Sequence, residues 1–570
     1  MKTKAIIIIE PISRSKDYVA VAIKHGYLPI VLRINHENWD PHYEIMNKST
    51  YEKSVSEVDV YLKQFKHTLI KEPKNFQDLL KTLDDYSIHA VIPCSDIAIK
   101  LADKLASALN LPNNDPNLSE TRINKFLVNK TLEDNKLRSI RSLVITPRTK
   151  HFEIRRFFKK SKYPLFIKPV LGVYSHDAYK VENKAELKSI TKKLFSKKIV
   201  ENLPRYDKLL LQEFIGGDEY AVNFVSVNGR HILTDIYWLE KQLIDGKYFC
   251  KKIDLIKDLK LKHQRIVQYG IDVLNATKFK WGSSNLEIKY YNDEAVLIEI
   301  NNRVMGFDFH SKLNDAIGLD LLEMSLLSYI QPDKVLEYCI DKYRPTKNYN
   351  TLYLSQPENQ SFSNFPIHHI IKKLKTLVED GVVDKTNFDY QKTNDQESSL
   401  GYLSFAGSKE EAERDEQLVL EIEKNNFNLL FQTSKPKIVK EEEFVEEDWE
   451  ELERKFVGQK VLLLSNEDNL KVLERSRIST ITELKRIKKV KSYSALIIDT
   501  KAIPKSIEAI YDDIDWMDKN LANNCKIVLT HKTLSNSVDG VEYLFLLNNY
   551  LPIIGRDAKF RAFNFFVKNN

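Results

Sequence analysis

The residues best suited to chemistry lie near the middle of the chain: Glu287 in the run SSNLEIKY, and Glu299, Asn301 and Arg303 in AVLIEINNR. Both runs read as strands, and alternate side chains of a strand share a face. That period puts Asn285, Glu287 and Lys289 on one side of Ser284–Tyr290, opposite Leu286 and Ile288. It puts Glu299, Asn301 and Arg303 opposite Val296, Ile298 and Ile300, along Ala295–Ile300 and just beyond. Tyr291–Glu294 holds an Asn-Asp pair, which forms turns, so a hairpin with Glu287 close to Glu299 is expected. Facing carboxylates repel unless something neutralises them. Two acidic groups and an amide oxygen suit a hard divalent cation, and Mg2+ is held by a carboxylate or two plus substrate phosphates. Arg303 then sits at the rim, placed to meet an anion. Alone, so short a polar pattern is ordinarily a solvated strand face; its company gives it meaning.

That company lies upstream. YPLFIKP (163–169) reads as a strand with Phe166 and Lys168 on one face. A lysine ending a buried strand is costly unless its charge is paired, and the partner is either a phosphate or a nearby carboxylate. The following VLGVYSHDA (170–178) is placed to cover a phosphate. Such loops favour glycine because the backbone must approach the oxygens closely. Only Gly172 is present, with Ser175 and His176 as side-chain donors. LLLQEFIGGDEYAVNFVSVNG (209–229) is a strand, a Gly-Gly turn and an alternating strand. Its strand-to-turn hinge offers backbone groups to an adenine edge, and Glu219 past the turn offers a carboxylate to two ribose hydroxyls.

The elements that must position these groups follow from the rest of the chain. Residues 1–115 alternate strand and helix: strand Ala5–Ile9, helix Lys16–His25, strand Leu28–Arg33, strand His89–Pro93, helix Ile97–Leu109. That rhythm implies a parallel sheet with right-handed crossovers. Glu10, Pro11 and Ser13 close the first strand, and Ser95 and Asp96 follow a later one, where open α/β sheets present ligands or simply turn and cap. No G-x-G-x-x-G is present, so a dinucleotide fingerprint is excluded. Ser119 is the expected N-cap of a helix carrying Lys125 and Lys130. Beyond residue 332, strands are expected at Thr351–Leu354 and Leu400–Ala406 and a helix at Lys409–Asn425. The acidic run 440–456 reads as a solvated helix or linker. Strands at Lys460–Leu464, Ala495–Asp499, Lys526–Thr530 and Glu542–Leu547 then make a small α/β domain with no readable site.

A chain of 570 residues is too long for one core. Its net charge of +7 is spread over many lysines, which does not imply nucleic acid. Cys94, Cys250, Cys339 and Cys525 lie far apart with no C-x-x-C, so neither zinc nor a disulfide framework is suggested. The apolar run Ala5–Ile9 is too short for a signal peptide or a membrane span. A cytoplasmic protein without membrane or nucleic-acid partners is expected, and a homo-oligomer is compatible with the sequence.

In this order the pieces resemble the ATP-grasp superfamily of carboxylate–amine ligases, over about 1–430 and most specifically over 119–330. Within it the chain is most similar to the L-amino acid ligase and carnosine synthase branch, through EYAVNFVSVNGRHILTDIYWLEK (219–241), VLNATKFKWGSSNLEIK (273–289) and IEINNRVMGFDFHSKLNDAIGLDLLE (298–323). AVIPCSDIAIKLADKLASALNLPNNDPNLSETRINKFLVNK (90–130) is like the segment that leads into the grasp in that branch. The resemblance implies an α/β (α+β grasp) protein: a pre-ATP-grasp domain over 1–115, an ATP-grasp domain with companion subdomain over 116–435, a linker over 436–456, and an additional α/β domain over 457–570. It implies ATP and Mg2+ or Mn2+, and small carboxylate and amine substrates. It assigns Lys125 and Lys168 to ATP phosphates, with Gly172 and Ser175 in the covering loop. Gln212, Glu213, Phe214 and Ile215 go to the adenine hinge and Glu219 to the ribose. Lys241 goes to the γ-phosphate or substrate, and Glu287, Glu299 and Asn301 to the metal. Arg303, with Lys168, is assigned to catalysis through an acyl phosphate. The loop lacks most of the family's glycines, and Asn285 stands where relatives often have histidine, so the substrate is expected to differ. A nucleotide-precursor or carbonate-type reaction, or a weakened ATP-binding scaffold, stay open as alternatives.

Overall fold

The computed structural model describes residues 2–35, 48–170, 177–196, 206–244, 247–306, 311–338, 343–356, 359–362, 374–382, 388–396 and 398–424, together with six later strands. The chain divides into two compact units: Met1–Tyr353 with two short returns at Asn394–Ser399 and Ala406–Ser408, and the remainder. Among the described residues no helix is long and apolar enough to cross a membrane.

The first unit begins with a four-stranded sheet in the order Thr68–Lys71, Leu28–Arg33, Thr3–Ile9, Tyr86–Pro93, parallel throughout. The uninterrupted run Ile6–Ile9 is explained by burial on both faces, as parallel sheets require. Ile6 and Ile8 pack with Tyr18, Val19 and Leu326, whereas Ala5, Ile7 and Ile9 pack with Leu79, Leu83 and Leu105 on the other side. The expected strands at 5–9, 28–33 and 89–93 are present, and the short strand at 68–71 was not anticipated. Both expected helices begin with a 3-10 turn, giving Tyr18–Lys24 and Ile99–Ala108 as the α-helical parts.

Two antiparallel sheets follow in the same unit. The smaller runs Ser142–Ile145, Leu209–Glu213, Leu165–Pro169, Tyr179–Val181. Leu165, Ile167, Leu209 and Leu211 form its core with Val181 and Leu194, which leaves Phe166, Lys168 and Gln212 to face away. The larger sheet runs Glu294–Asn301, Gly282–Tyr291, Asp218–Val227, Arg230–Ile244, Lys247–Leu255, Asn348–Tyr353. Helix Leu261–Ala276 covers one face with Ile266, Val267, Val273 and Leu274, against Val222, Phe224, Leu286 and Ile288. The polar members of the same strands are thereby forced to the opposite face.

The hairpin expected from Asn292-Asp293 is present, with both turn residues at positive φ as a twist-matched two-residue turn demands. Glu287 pairs in register with Glu299. One detail is corrected. The register shifts between Glu287 and Ile288, and this bulge makes Leu297 rather than Ile298 the partner of Ile288, so Leu297 joins the core and Ile298 turns to the polar face. Ser119 is also corrected. Its hydroxyl donates to Asp103 at 2.6 Å, and the helix Lys125–Asp134 is capped instead by Asn124, which accepts from the amides of Phe126 and Leu127.

The second unit contains the strand Leu377–Asp380, paired antiparallel with Leu403–Phe405, and the helix Lys409–Lys424. It also holds a six-stranded sheet in the order 477–481, 460–464, 495–499, 526–530, 563–568, 550–554. The first four strands are parallel and Phe563–Lys568 is antiparallel to both neighbours. Three of the expected strands are there. Glu542–Leu547 and the acidic run 440–456 lie outside the described residues.

The Gly216-Gly217 turn joins the two antiparallel sheets. Gly217 has φ +83°, and a Cβ there would stand 2.3 Å from the carbonyl oxygen of Tyr290. Gly217→Ala is therefore expected to destabilise the protein by about 1–3 kcal/mol or more, read as a lowered thermal midpoint. An unchanged midpoint would contradict this account of the turn.

Candidate functional site

The two antiparallel sheets face one another across a cleft. It is lined on one side by Phe166, Lys168 and Gln212 and on the other by Glu219, Lys241, Glu287, Lys289 and Glu299, with Lys125 entering from its helix. The strand period accounts for the second set. Glu287 and Lys289 are two apart on one strand and Glu219 lies opposite Lys289 on the next. Lys241 is on the strand beyond.

The charges interlock. Lys125 contacts Glu299 at 2.8 Å. Lys241 is salt-bridged to Glu219 and lies 3.6 Å from Glu287. Lys289 approaches Glu219 at 3.7 Å. Burial alone would push the Glu219 carboxyl up, but Lys241 and Lys289 outweigh it and hold it below the ordinary range. Glu287 goes the other way. Burial, with Glu219 and Glu299 nearby, raises its pKa despite Lys241 and Lys168. Glu287 and Glu299 keep 29% and 27% of their side chains accessible, so a cation entering the cleft reaches both.

Lys168 differs from its neighbours. It is 7% exposed and makes no ion pair or hydrogen bond among the described residues; Phe166 is its ring neighbour at 5.9 Å. Burial and the adjacent Lys125 push its pKa down to about 8, against the pull of Glu299, Glu287 and Glu219. An ammonium held this way is stabilised by an arriving anion.

Gln212, Glu213, Phe214 and Ile215 line the same cleft. Gln212 donates to Ser142 at 2.9 Å. The Glu213 carboxylate is held by Arg138 at 2.9 Å and by Arg141, which fixes the strand end where the hinge begins. Ile140, Phe166, Ala178, Phe214, Tyr248 and Ile298 give the cleft apolar walls, as a base requires. Gly172 and Ser175 lie outside the described residues.

Asn301 and Arg303 stand beside the cleft rather than in its lining. Asn301 is 8% exposed and donates to Asn285 at 3.3 Å. Arg303 makes a bidentate pair with Asp96, at 3.1 and 2.9 Å, joining two residues the sequence singled out separately. Glu10 is wholly structural, fully buried and bonded to Arg33 and to the amide of Ile34. Lys289 and Tyr248 were not anticipated as site residues. The strand period already set Lys289 beside Glu287, whereas nothing local marks Tyr248.

Among the described residues no three His, Cys, Asp or Glu side chains converge as a metal group. The donor set is the facing pair Glu287 and Glu299 with Asn301 next along the strand. Those hard oxygens fit Mg2+ if it arrives with phosphate oxygens of its own.

Residues 161–310 match the family described as the ATP-grasp domain. Dapdiamide A synthase of Enterobacter agglomerans is 24% identical over 343 residues, covering 58% of this chain and 77% of that protein. The fold is similar to the L-amino acid ligase of Bacillus licheniformis, with a TM-score of 0.55 at 16% identity, over 75% of this chain and 98% of that one. It is also similar to carboxyaminoimidazole ribonucleotide synthase of Aspergillus clavatus in complex with ATP, with a TM-score of 0.51 at 12% identity, over 74% and 99%. Residues 161–310 therefore carry an ATP-grasp domain.

Because Lys168 must be protonated to hold an anion, affinity for a non-hydrolysable ATP analogue with Mg2+ is expected to fall as pH rises through about 8. Calorimetric titration across that range should show the fall in the wild type and a much flatter profile, at weaker affinity, in Lys168→Met. An equal slope in both proteins would remove Lys168 from the anion's surroundings.

Proposed function

We propose that the protein is an ATP-dependent carboxylate–amine ligase that forms an amide, dipeptide-like in character, through an acyl phosphate and releases ADP and phosphate. One observation carries this reading: a buried ammonium with no ion pair or hydrogen bond among the described residues shares one cleft with a facing carboxylate pair and further lysines. The names of the dapdiamide synthase and L-amino acid ligase relatives support it.

In this reading the adenine lies against Phe166, Phe214 and Ile215, with the hinge backbone at its edge, and Glu219 receives the ribose hydroxyls. Lys125 and Lys168 take the phosphates, and Lys241 stands near the transferred group. Glu287, Glu299 and Asn301 are the residues that would hold Mg2+, which when bound supplies positive charge to the phosphate oxygens. The substrate carboxylate oxygen bonds to the γ-phosphorus while the bond to the ADP oxygen breaks. The amine nitrogen then attacks the acyl carbon, phosphate leaves, and the nitrogen gives up a proton. The chain's own groups supply little covalent chemistry; they hold the reactants in line and offset developing negative charge. Arg303, paired with Asp96 beside the cleft, is the group that would steady the oxyanion.

Supplied with ATP, Mg2+ and mixed amino acids, the full-length protein is expected to release ADP and phosphate in step with amide product. Glu299→Ala is expected to lower the rate about a hundredfold or more while keeping its thermal midpoint. Release of AMP and pyrophosphate would overturn the acyl-phosphate mechanism. Full activity in Glu299→Ala would overturn the metal assignment.

A further inference from the structure

Among the described residues the lysines lining the cleft are Lys125, Lys168, Lys241 and Lys289, and the ligase reading gives a task to all but Lys289. It lies two residues beyond Glu287 on the same strand and directly across from Glu219 in the register, so the three side chains share the polar face. Its Nζ stands 3.7 Å from Oε2 of Glu219, while Lys241 takes Oε1 from the strand on the other side. The carboxylate is gripped from both flanks, one oxygen to each lysine. Lys289 is itself fixed in place. It keeps 13% of its side chain accessible. Its ammonium lies 5.9 Å from the centre of the Phe214 ring and 5.6 Å from that of Tyr248, both within cation–π range.

Glu219 needs such a grip. Its side chain is 6% accessible, and a carboxylate taken out of water gives up its charge unless cations answer it. A protonated carboxyl carries an O–H of its own, whereas the ionised form accepts at both oxygens. A ribose presents two neighbouring hydroxyls as donors, and the ionised form meets both. Lys241, Lys289 and Glu287 bear on the charge of Glu219, and Lys168 faces it from across the cleft. Two of these have other work once nucleotide and metal arrive. Lys241 also reaches toward Glu287, at 3.6 Å, and stands near the transferred phosphoryl group. Glu287 goes to the metal. Lys289 stays with Glu219, kept there by two rings that neither phosphate nor metal claims.

We propose that Lys289 is a positioning residue for the sugar of the nucleotide: it holds Glu219 ionised and aimed, so that the cleft selects a ribonucleotide over its deoxy counterparts. The chemistry recognised is the adjacent pair of hydroxyls, and Lys289 acts on it through Glu219. This rests on the ligase reading given above, which places the ribose at Glu219, and adds the residue that makes Glu219 selective.

The test is calorimetric titration of the full-length protein, with Mg2+ present, by a non-hydrolysable ATP analogue and by its 2′-deoxy and 3′-deoxy forms. The wild type is expected to bind the ribose form about tenfold or more tightly than either deoxy form, as loss of a hydrogen bond to a charged acceptor implies. Lys289→Met should bring the three affinities within about threefold of one another, chiefly by weakening the ribose form. Lys289→Arg, which keeps a cation between Glu219 and the two rings, should retain the preference. If Lys289→Met does not fold, Lys289→Gln carries the same comparison. A merely structural loss would weaken all three probes alike and leave their ratio intact, and that result refutes the proposal. So does a Lys289→Met protein that matches the wild type, which would leave Lys241 as the group holding Glu219. A wild type that binds the analogue without distinguishing the sugars refutes the selectivity and leaves the ligase reading standing. Failure of the wild type to bind the analogue at all overturns both.

Discussion

A buried ammonium that makes no ion pair or hydrogen bond among the described residues, Lys168, is the constraint around which the first unit is arranged. Lys168 ends a strand whose alternate residues are locked into a small sheet's core, so it cannot turn away from the cleft. Its neighbour Lys125 adds repulsion, and the glutamates across the cleft attract it without forming an ion pair. Opposite stands the reverse problem, a carboxylate pair held together by a hairpin register. Lys125 at Glu299 and Lys241 at Glu287 answer part of that charge, while Lys168 gains no ion pair from it among the described residues. A metal-bound triphosphate, with anionic oxygens toward the lysines and a cation toward the glutamates, satisfies both at once.

The fold supplies this arrangement by economical means. Helix Leu261–Ala276 claims the apolar face of the larger sheet, so period-two alternation delivers Glu219, Glu287, Lys289 and Lys241 to the other face. The bulge after Glu287 turns the strand without displacing the Glu287–Glu299 pairing, and it adds Ile298 to the apolar wall of the cleft. Asp96, just past the end of the parallel sheet's edge strand, pairs with Arg303 and so ties that sheet to the chain that follows the hairpin.

Much of this was legible from the sequence because the relevant signals were local. Alternation placed Phe166, Lys168, Glu287 and Glu299 correctly, and the Asn-Asp turn fixed the hairpin. The uninterrupted apolar run Ile6–Ile9 announced a two-faced strand, and its neighbours followed. What escaped depended on distant partners. Ser119 looks like a cap until Asp103 takes its hydroxyl. Glu10 looks like a ligand residue until Arg33 and the Ile34 amide claim it. The bulge that exchanges Leu297 for Ile298 leaves no mark in a pattern of consecutive apolar residues. Lys289 and Glu219 meet across strands that are paired only once the sheet exists, so no spacing along the chain reveals their contact.

The central claim is that the carboxylate pair and the lysines act on one metal–nucleotide unit. Electron paramagnetic resonance of Mn2+ added to the full-length protein tests this most directly. The account predicts weak Mn2+ binding without nucleotide, strong binding once a non-hydrolysable ATP analogue is present, and loss of that enhancement in Glu287→Gln. Equal Mn2+ binding with and without the analogue, or an undiminished signal in Glu287→Gln, would contradict it.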